Sequence, residues 1–322
     1  MAGRILVTGA TGFLGGAVLR RLGAQAIGQG RNPARLAALA EAGFRTVAWT
    51  LPDPAPALPD DITAIVHCAA LSAPFGAPAA FRSANVEGTR AVLDLARANR
   101  IRRVVHISSP SIYFALADRL NIVENAPLPR PFNAYAASKR AAEELVRASA
   151  GPETVILRPR GLYGPGDTSL LPRLLRTARQ RALPLFREGR ARIDLTYVED
   201  VVDAVMAALE AGPGAVGKAY NISGGEVLSI QHIVTQTCAS AGLAPRWRRM
   251  PLPPALLAAS LAERLALLRP GQPEPPVTRY ALGLFAFAQS LDISRAKADL
   301  GWTPKVSFAD GLARTFAAGP PP

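Results

Sequence analysis

Short apolar runs alternate with amphipathic stretches through the first half of the chain. The runs are typical of buried strands, and the stretches between them repeat apolar residues at helical spacing. Strands that alternate with helices favour a parallel sheet covered on both faces. The sequence therefore predicts an α/β fold, a doubly wound parallel sheet with strands at 4–8, 24–29, 45–49, 62–68, 103–108 and 154–158 and helices at 13–22, 33–42, 79–99 and 134–149.

The pattern changes after residue 165, where a smaller α+β lobe is predicted. Segment 198–212 is a predicted helix that returns to the first domain, so the boundary is interleaved. We expect a first domain over 1–165, joined by 198–222, and a second lobe formed by 166–197 and 223–322. The elements predicted after residue 165 are helices at 169–181 and 229–242, strands near 192–197 and 219–222, and proline-rich loops at 251–254 and 270–276.

Composition narrows the class of protein. The net charge is +13, but no run of five basic residues occurs and only four lysines are present, so we interpret the arginines as solvated surface residues and expect no nucleic-acid partner. Two cysteines, Cys68 and Cys238, predict neither a disulfide framework nor a metal site. No apolar stretch reaches membrane-spanning length, and the first strand begins at once, so a cytoplasmic enzyme without a signal peptide is expected.

A glycine-rich turn lies between the first strand and the first helix. Residues 8–15 read TGATGFLG, with Gly9, Gly12 and Gly15 spaced three apart. Glycine lets the backbone turn tightly and approach a pyrophosphate, and the helix N-terminus offers free N–H groups to that anion. The turn predicts a dinucleotide site.

The end of the second strand bears on the choice of dinucleotide. NAD-binding folds place an acid there to hold the ribose 2′-hydroxyl. This chain has Gly30 followed by Arg31, and a guanidinium suits a 2′-phosphate. We therefore predict NADP(H), with NAD as the alternative; a purely solvated Arg31 at a helix start is the competing interpretation.

Tyr135 and Lys139 stand four residues apart in the helical segment AYAASKRAAEELV. Residues at i and i+4 share a helix face, so the phenol and the ammonium can converge. A phenol is a poor base at neutral pH, and a nearby ammonium stabilises its anion. The pair predicts proton transfer beside the dinucleotide.

Several stretches resemble the extended short-chain dehydrogenase/reductases in order and spacing. They are TGATGFLG, the Asn85–Thr89 segment NVEGT, HISSPSIY, YAASK, ILRPRGLYGPGD at 156–167, DLTYVEDVVDA at 194–204, YNISGG at 220–225 and LDISRAKADLGWTP at 291–304. The likeness covers nearly the whole chain. It implies a Rossmann-type domain with a seven-stranded parallel sheet and a C-terminal substrate lobe.

The resemblance also implies roles for particular residues. Tyr135 would be the proton donor or acceptor, Lys139 would hold the nicotinamide ribose, and Ser109 would hydrogen-bond the reacting oxygen, with Ser108 as the alternative. Asn85 matches a helix position that supports a water relay, although a helix-stabilising role is equally expected. The full expected cofactor set is Gly9, Thr11, Gly12, Phe13, Leu14, Gly15, Arg31, Thr50, Leu51, Ala69, Ala70, Asn85, Tyr135, Lys139 and Pro159.

Two departures from the family's patterns bear on the reaction. Pro110 and Ser111 follow Ser109 where dehydratases carry an acid, so dehydration is not expected. Ile193 occupies the position at which sugar-nucleotide enzymes grip a diphosphate, and Arg192 should point to the opposite face of a strand. A substrate without phosphates is therefore favoured.

The second lobe favours a hydrophobic substrate. In segment 252–268, Leu257, Leu261, Leu265 and Leu268 share one helical face, which we interpret as core packing; a cleft wall or a membrane-touching surface are the alternatives. The stretch EPPVTRYALGLFAFAQSLDIS at 274–294 resembles the 3β-hydroxysteroid dehydrogenase and 2-alkyl-3-oxoalkanoate reductase branch.

The predicted activity is hydride transfer between NADP(H) and a secondary alcohol or ketone of a hydrophobic molecule of the 3-oxo acid or 3-hydroxysteroid type. A nucleotide-sugar 4-epimerase with tightly bound NAD is the rival enzyme, and a non-catalytic redox sensor is a rival of another class. Family habit predicts a homodimer through helices around 85–99 and 135–149.

Overall fold

The first half of the chain alternates strands and helices. The structure, a computed structural model, describes residues 3–319. The elements up to residue 159 are β1 (Arg4–Thr8), α1 (Phe13–Leu22), β2 (Ala26–Gly30), α2 (Pro33–Glu41), β3 (Arg45–Ala48), β4 (Ile62–His67), α3 (Pro78–Phe81), a π-helical turn (Arg82–Glu87), α4 (Gly88–Ala98), β5 (Arg103–Ile107), β6 (Arg119–Ile122), α5 (Ala134–Ala148) and β7 (Glu153–Pro159).

The second half contains shorter and more varied elements. They are β8 (Leu162–Tyr163), α6 (Leu170–Gln180), β9 (Leu183–Leu185), β10 (Arg192–Ile193), β11 (Thr196–Tyr197), α7 (Val198–Glu210), β12 (Ala219–Ile222), β13 (Leu228–Ser229), α8 (Ile230–Ser240), β14 (Trp247–Arg249), α9 (Leu252–Leu267), α10 (Arg279–Ala286), β15 (Gln289–Leu291), α11 (Ser294–Leu300) and α12 (Phe308–Ala317).

A seven-stranded parallel sheet forms the centre of the molecule, in the order β12-β7-β5-β4-β1-β2-β3. Its central strands are buried on both faces because helices cover both sides, which explains their continuous apolar sequences. The predicted α/β class and the Rossmann-type sheet are confirmed.

The edge strand β12 comes from far along the chain. Helix α7 packs against α1 and leads to β12, which pairs with β7 through Ala219 and Ile156. The C-terminal segment is tied to α7 in turn: Trp302 Nε1 donates to the Asp200 carbonyl over 2.9 Å. The chain therefore leaves the sheet after β7 and returns to complete it; the division into domains at residue 165 stays a prediction.

The second lobe is built around a four-stranded sheet in the order β13-β10-β15-β6. In β10, Arg192 is exposed while Ile193 packs against the apolar clusters of the lobe. The predicted opposite orientation of these two side chains is confirmed. Within residues 3–319, no helix has the length and apolar character needed to cross a membrane.

Two expectations for the second lobe are wrong. The proline-rich stretch at 251–254 is not a loop, because Pro253 and Pro254 lie in the first turn of α9, where a missing N–H breaks no helical bond. The leucines Leu257, Leu261, Leu265 and Leu268 do not pack in the core. They are exposed, since α9 turns its other face toward the lobe.

Candidate active site

The glycine-rich turn after β1 has no room for side chains at its ends. Gly9 has φ +66°, and a Cβ on Gly15 would lie 2.2 Å from the Gly9 carbonyl oxygen. The Gly12 N–H donates to the same oxygen over 2.9 Å. Glycine is required at these positions because any side chain would push the helix start away from the strand.

The helix that follows this turn begins without a side-chain cap. Gly12 is the N-cap of α1, whereas Asn32 and Asn133 cap α2 and α5 with their side chains. The first N–H groups of α1 can therefore donate to an external anion. Together with the tight glycine turn, this arrangement fits the pyrophosphate of a dinucleotide.

Buried polar side chains support the turn, and sequence reasoning missed most of them. Gln29 on β2 accepts from the Gly9 N–H over 2.9 Å and donates to the Trp49 carbonyl. His67 bonds Thr8 at Nδ1 over 2.7 Å and Thr89 at Nε2 over 3.0 Å. Burial, and then the positive charge of Lys139, lower the pKa of His67 to about 3, so the imidazole is neutral.

The residues expected to contact the cofactor gather at one edge of the sheet. Parallel strands end at the same edge, and α/β sheets bind ligands there. The turn residues follow β1. Six further positions lie at or just after the ends of other strands: Arg31 after β2, Thr50 and Leu51 after β3, Ala69 and Ala70 after β4, and Pro159 at the end of β7. Thr11, Phe13 and Leu14 lie within the turn and the first turn of α1.

Gly30 and Arg31 lie where an acid would bind a ribose. A Cβ on Gly30 would come within 2.8 Å of Thr11 Cγ2. Because the glycine turn packs so closely against Gly30, this position has no room for a side chain. Arg31 is exposed beside it. The site thus offers a guanidinium and no carboxylate at these two positions.

Tyr135 lies in the first turn of α5. The Asn133 side chain caps this helix by accepting from the Ala136 N–H over 2.8 Å, and its amide donates to the Pro74 carbonyl over 3.2 Å. The phenol ring is half-buried and lies 6.2 Å from the Phe81 ring, between centroids. The cap fixes the start of α5, and the ring of Tyr135 lies on the side of Phe81.

Lys139 is buried one turn further along α5. Its Nζ donates to the Ile107 carbonyl over 2.6 Å, at the end of β5. Burial lowers the pKa of Lys139 to about 8, an effect that Glu143 partly offsets. The ammonium therefore lies beside the serines that follow β5 and holds its proton only loosely for a lysine.

Three serines follow β5, and their hydroxyls differ in surroundings. Ser109 is partly exposed, and its Oγ accepts from the Ser111 N–H over 3.2 Å, so its own proton can be donated elsewhere. Ser108 and Ser111 are buried, and neither Oγ has a hydrogen-bond partner within residues 3–319. These contacts favour Ser109 over Ser108 as the serine that donates to a substrate oxygen.

Asn85 lies in the π-helical turn and joins three segments. Its amide donates to the Leu71 carbonyl over 3.0 Å and to Ser138 Oγ over 2.9 Å, and it accepts from the Leu71 N–H. These contacts are those of a residue that positions α5 against the loop after β4.

An aromatic wall, defined as Phe114, Phe132 and Tyr280, borders the site on the side of the second lobe. Tyr280 lies 4.5 Å from Phe114, and Phe132 lies 4.7 Å from Phe114, between ring centroids. Burial raises the pKa of Tyr280 to about 12, an effect that the Arg160 guanidinium partly offsets. The Arg279 guanidinium lies 5.1 Å above the Phe132 ring.

Sequence reasoning missed this wall because Phe114 and Tyr280 are distant from Tyr135 in the chain, and the nearby Phe132 does not reveal which rings it contacts. The stretch around Tyr280 indicated a resemblance to a branch of the family, but it did not indicate that Tyr280 contacts Phe114. The only local signal was the aromatic and apolar content of segment 274–294.

Residues 5–223 match the model of the NAD dependent epimerase/dehydratase family. The chain belongs to this family. The match spans the glycine turn, Tyr135 and Lys139, whereas Tyr280 of the aromatic wall lies outside it.

Relatives of this epimerase/dehydratase family member include enzymes that act on ketones and sterols. A 2-alkyl-3-oxoalkanoate reductase from Stenotrophomonas maltophilia is 36% identical over 98% of this chain and 99% of its own length. A decarboxylating sterol-4-alpha-carboxylate 3-dehydrogenase from Saccharomyces cerevisiae is 30% identical over 79% of this chain and 75% of its own.

Solved structures share the fold over the full length. A dTDP-glucose 4,6-dehydratase from Streptomyces venezuelae with NAD bound is 27% identical, with a TM-score of 0.75 and coverage of 98% of this chain and 96% of that one. The epimerase/dehydratase family member described here is an NAD(P)-dependent oxidoreductase of the extended short-chain type.

Proposed function

We propose that this protein transfers a hydride between NADP(H) and a secondary alcohol or ketone on a hydrophobic 3-oxo or 3-hydroxy acid. The observation that supports this most is the position of Tyr135, a half-buried phenol one helical turn from the buried Lys139. Its helix packs against the turn Pro110–Tyr113, which leads directly to Phe114 of the aromatic wall. A group that can transfer a proton therefore lies between the predicted dinucleotide site at the glycine turn and the apolar aromatic wall.

Each residue of the site has a distinct task in the proposed reaction. The bound nicotinamide supplies or accepts the hydride. Tyr135 gives its phenolic proton to the carbonyl oxygen during reduction and takes it back during oxidation. Lys139 stabilises the phenolate that remains. Ser109 donates to the same oxygen, so that two hydroxyls stabilise its developing negative charge.

The substrate class follows from the wall and from the relatives. Aromatic rings favour an apolar body, and the Arg279 guanidinium beside them suits a carboxylate. The names of the two relatives reported above both describe a substrate whose reacting oxygen lies two carbons from a carboxylate carbon. Ile193, packed in the lobe, offers no grip on a diphosphate.

The test is to follow NADPH oxidation with a panel of 2-alkyl-3-oxo acids, their methyl esters, 3-oxosteroids and UDP-sugars. We expect turnover of the 3-oxo acids, a higher KM for the esters, and a fall in kcat/KM of about 10²- to 10⁴-fold in Tyr135→Phe. Turnover of UDP-sugars alone would refute the proposal and favour the nucleotide-sugar epimerase. Full cellular function of Tyr135→Phe would favour the redox sensor.

The preference for NADP(H) rests on Gly30 and Arg31. An exposed guanidinium beside a position without a carboxylate favours the 2′-phosphate. Arg31→Ala should raise the KM for NADPH about tenfold, the loss of one charge-assisted contact, while leaving the KM for NADH unchanged. Equal effects on the two cofactors would contradict the preference.

Assembly and location remain predictions of the same proposal. A homodimer through α4 and α5 should elute at twice the chain mass in light-scattering chromatography. A cytoplasmic location should appear in cell fractionation.

A further inference from the structure

Helix α9 has two apolar faces, and only one of them is covered by the protein. The covered face includes Leu256 and Ala259, which pack with Leu282 and Ala286 of α10. The opposite face carries four exposed leucines at positions i, i+4, i+8 and i+11. Their exposed fractions are 73% for Leu257, 58% for Leu261, 49% for Leu265 and 82% for Leu268. We call these four residues the leucine row.

The leucine row is unusual for a free surface. Large exposed apolar side chains occur singly on most proteins, whereas a continuous row marks a surface that contacts something else. Within α9 only Glu263 and Arg264 are charged, and Glu263 is turned toward α10, where it accepts from the Arg279 N–H over 2.7 Å. The outer face therefore has no acidic residue.

The charge around the row is positive. Arg264 lies on the same face as the row, three residues after Leu261 and four before Leu268. Arg269 is exposed at the end of the helix, and Arg248 and Arg249 are exposed just before it, next to the exposed Met250. An apolar row with cations at both ends complements the acyl chains and the anionic headgroups of a phospholipid surface.

A second copy of the chain fits these features less well. A stable dimer buries about 800 Å² on each partner, which is more than a single row of four leucines provides. Two copies related by a two-fold axis would also bring the same arginines toward each other, since such an interface is self-complementary.

We infer that α9 docks this protein on an anionic phospholipid membrane, with the leucine row inserted among the acyl chains and the flanking arginines at the headgroups. The covered face of α9 packs on α10, which begins with Arg279 and Tyr280 of the candidate site. Docking through the row therefore places the aromatic wall one helix away from the membrane surface, where hydrophobic substrates partition.

The test is flotation of the purified full chain with two sets of vesicles. One set is phosphatidylcholine alone, and the other also contains about 30% phosphatidylglycerol, an anionic lipid that attracts basic residues. The wild type should float with the anionic vesicles, and rising NaCl should weaken this binding. Leu261→Glu/Leu265→Glu should bind about ten- to hundredfold more weakly, because two leucines no longer enter the apolar phase.

The matched control is Leu120→Glu, which alters a leucine that is 52% exposed on β6. It should float like the wild type. The double variant should keep wild-type turnover of a short, water-soluble ketone and an unchanged Tm, which shows that the chain is folded.

Three outcomes would overturn the inference. The wild type could remain in the soluble fraction with anionic vesicles. The double variant could float as well as the wild type. Light scattering could show that the double variant has lost an oligomer that the wild type forms, which would assign the row to a second copy of the chain.

Discussion

Among the residues of the site, the roles of the adjacent serines Ser108 and Ser109 can be distinguished by experiment. Ser109→Ala should lower kcat about 10²-fold or more, because a donor to the reacting oxygen is lost. Ser108→Ala should leave kcat nearly unchanged, since its buried Oγ has no partner within the described residues. Steady-state kinetics on a 3-oxo acid check both changes, and the opposite pattern would transfer the role to Ser108.

A second residue, Lys139, is held at a cost to the stability of the protein. Burial lowers its pKa from 10.5 to about 8, so the folded protein binds this proton less tightly than the unfolded chain does. The cost is complete below pH 8, decreases as pH rises from about 8 to 10.5, and is absent above that range.

Lys139→Met should therefore abolish activity and stabilise the cofactor-free protein at pH 7 by on the order of 2 kcal/mol, after allowing for the lost bond to Ile107. Urea unfolding at pH 7 and at pH 10.5 measures this stabilisation, which should disappear at the higher pH, where only the loss of the bond to Ile107 remains. Lys297→Met, which alters an exposed lysine, is the control and should change nothing. A destabilised Lys139→Met at pH 7 would contradict this reasoning.

At the scale of elements, the β1–α1 turn is the most constrained. Gly15→Ala should destabilise the protein by about 1–3 kcal/mol and raise the Kd for NADPH, because its Cβ would meet the Gly9 carbonyl. Thermal unfolding and fluorescence titration with NADPH measure the two effects. Gly212→Ala is the control, since a Cβ there meets no atom within 4 Å; equal behaviour of the two variants would contradict the prediction.

The sequence predicted the elements of the large sheet well and those of the second lobe poorly. Strands such as β4 and β5 have continuous apolar runs because they are buried on both faces, and this signal is local. Strands β8, β10, β11 and β13 have two residues each, so their existence depends on pairing with distant segments. The same limit hid Tyr280, which meets the site only through the packing of α10.

For helix α9, the sequence pattern predicts a helix but not which of its faces is buried. Its outer leucines have the spacing of a core stripe, and periodicity alone does not reveal which face is covered. Ala259 and Ala266 identify the packed face only once the position of α10 is known.

At the scale of the whole molecule, one buried ionic network connects the layers. Arg158 on β7 pairs with Glu143 of α5 and donates to the Glu124 carbonyl over 3.0 Å. Glu124 in turn accepts from the Asn221 N–H on β12 over 2.9 Å. Helix α5, the sheet edge and the loop that leads from β6 are therefore held by the same charges.

Arg158→Met should destabilise the protein by about 3–5 kcal/mol, because it leaves the Glu143 carboxylate buried without its partner. Arg158→Met/Glu143→Leu should recover part of this loss, since neither charge remains. Urea unfolding followed by circular dichroism and tryptophan fluorescence gives both values. A double variant no more stable than Arg158→Met would contradict the pairing.

The late return of β12 to the central sheet has a consequence for protein synthesis. More than two hundred residues must leave the ribosome before β12, the strand that pairs with β7, is available. Until then, the sheet of the nascent α/β half has an unpaired edge at β7. Chains stalled ahead of residue 219 should remain sensitive to protease, whereas chains stalled well past residue 306, after the segment that binds α7, should resist it. The central sheet of this protein is therefore completed well after its first six strands have left the ribosome.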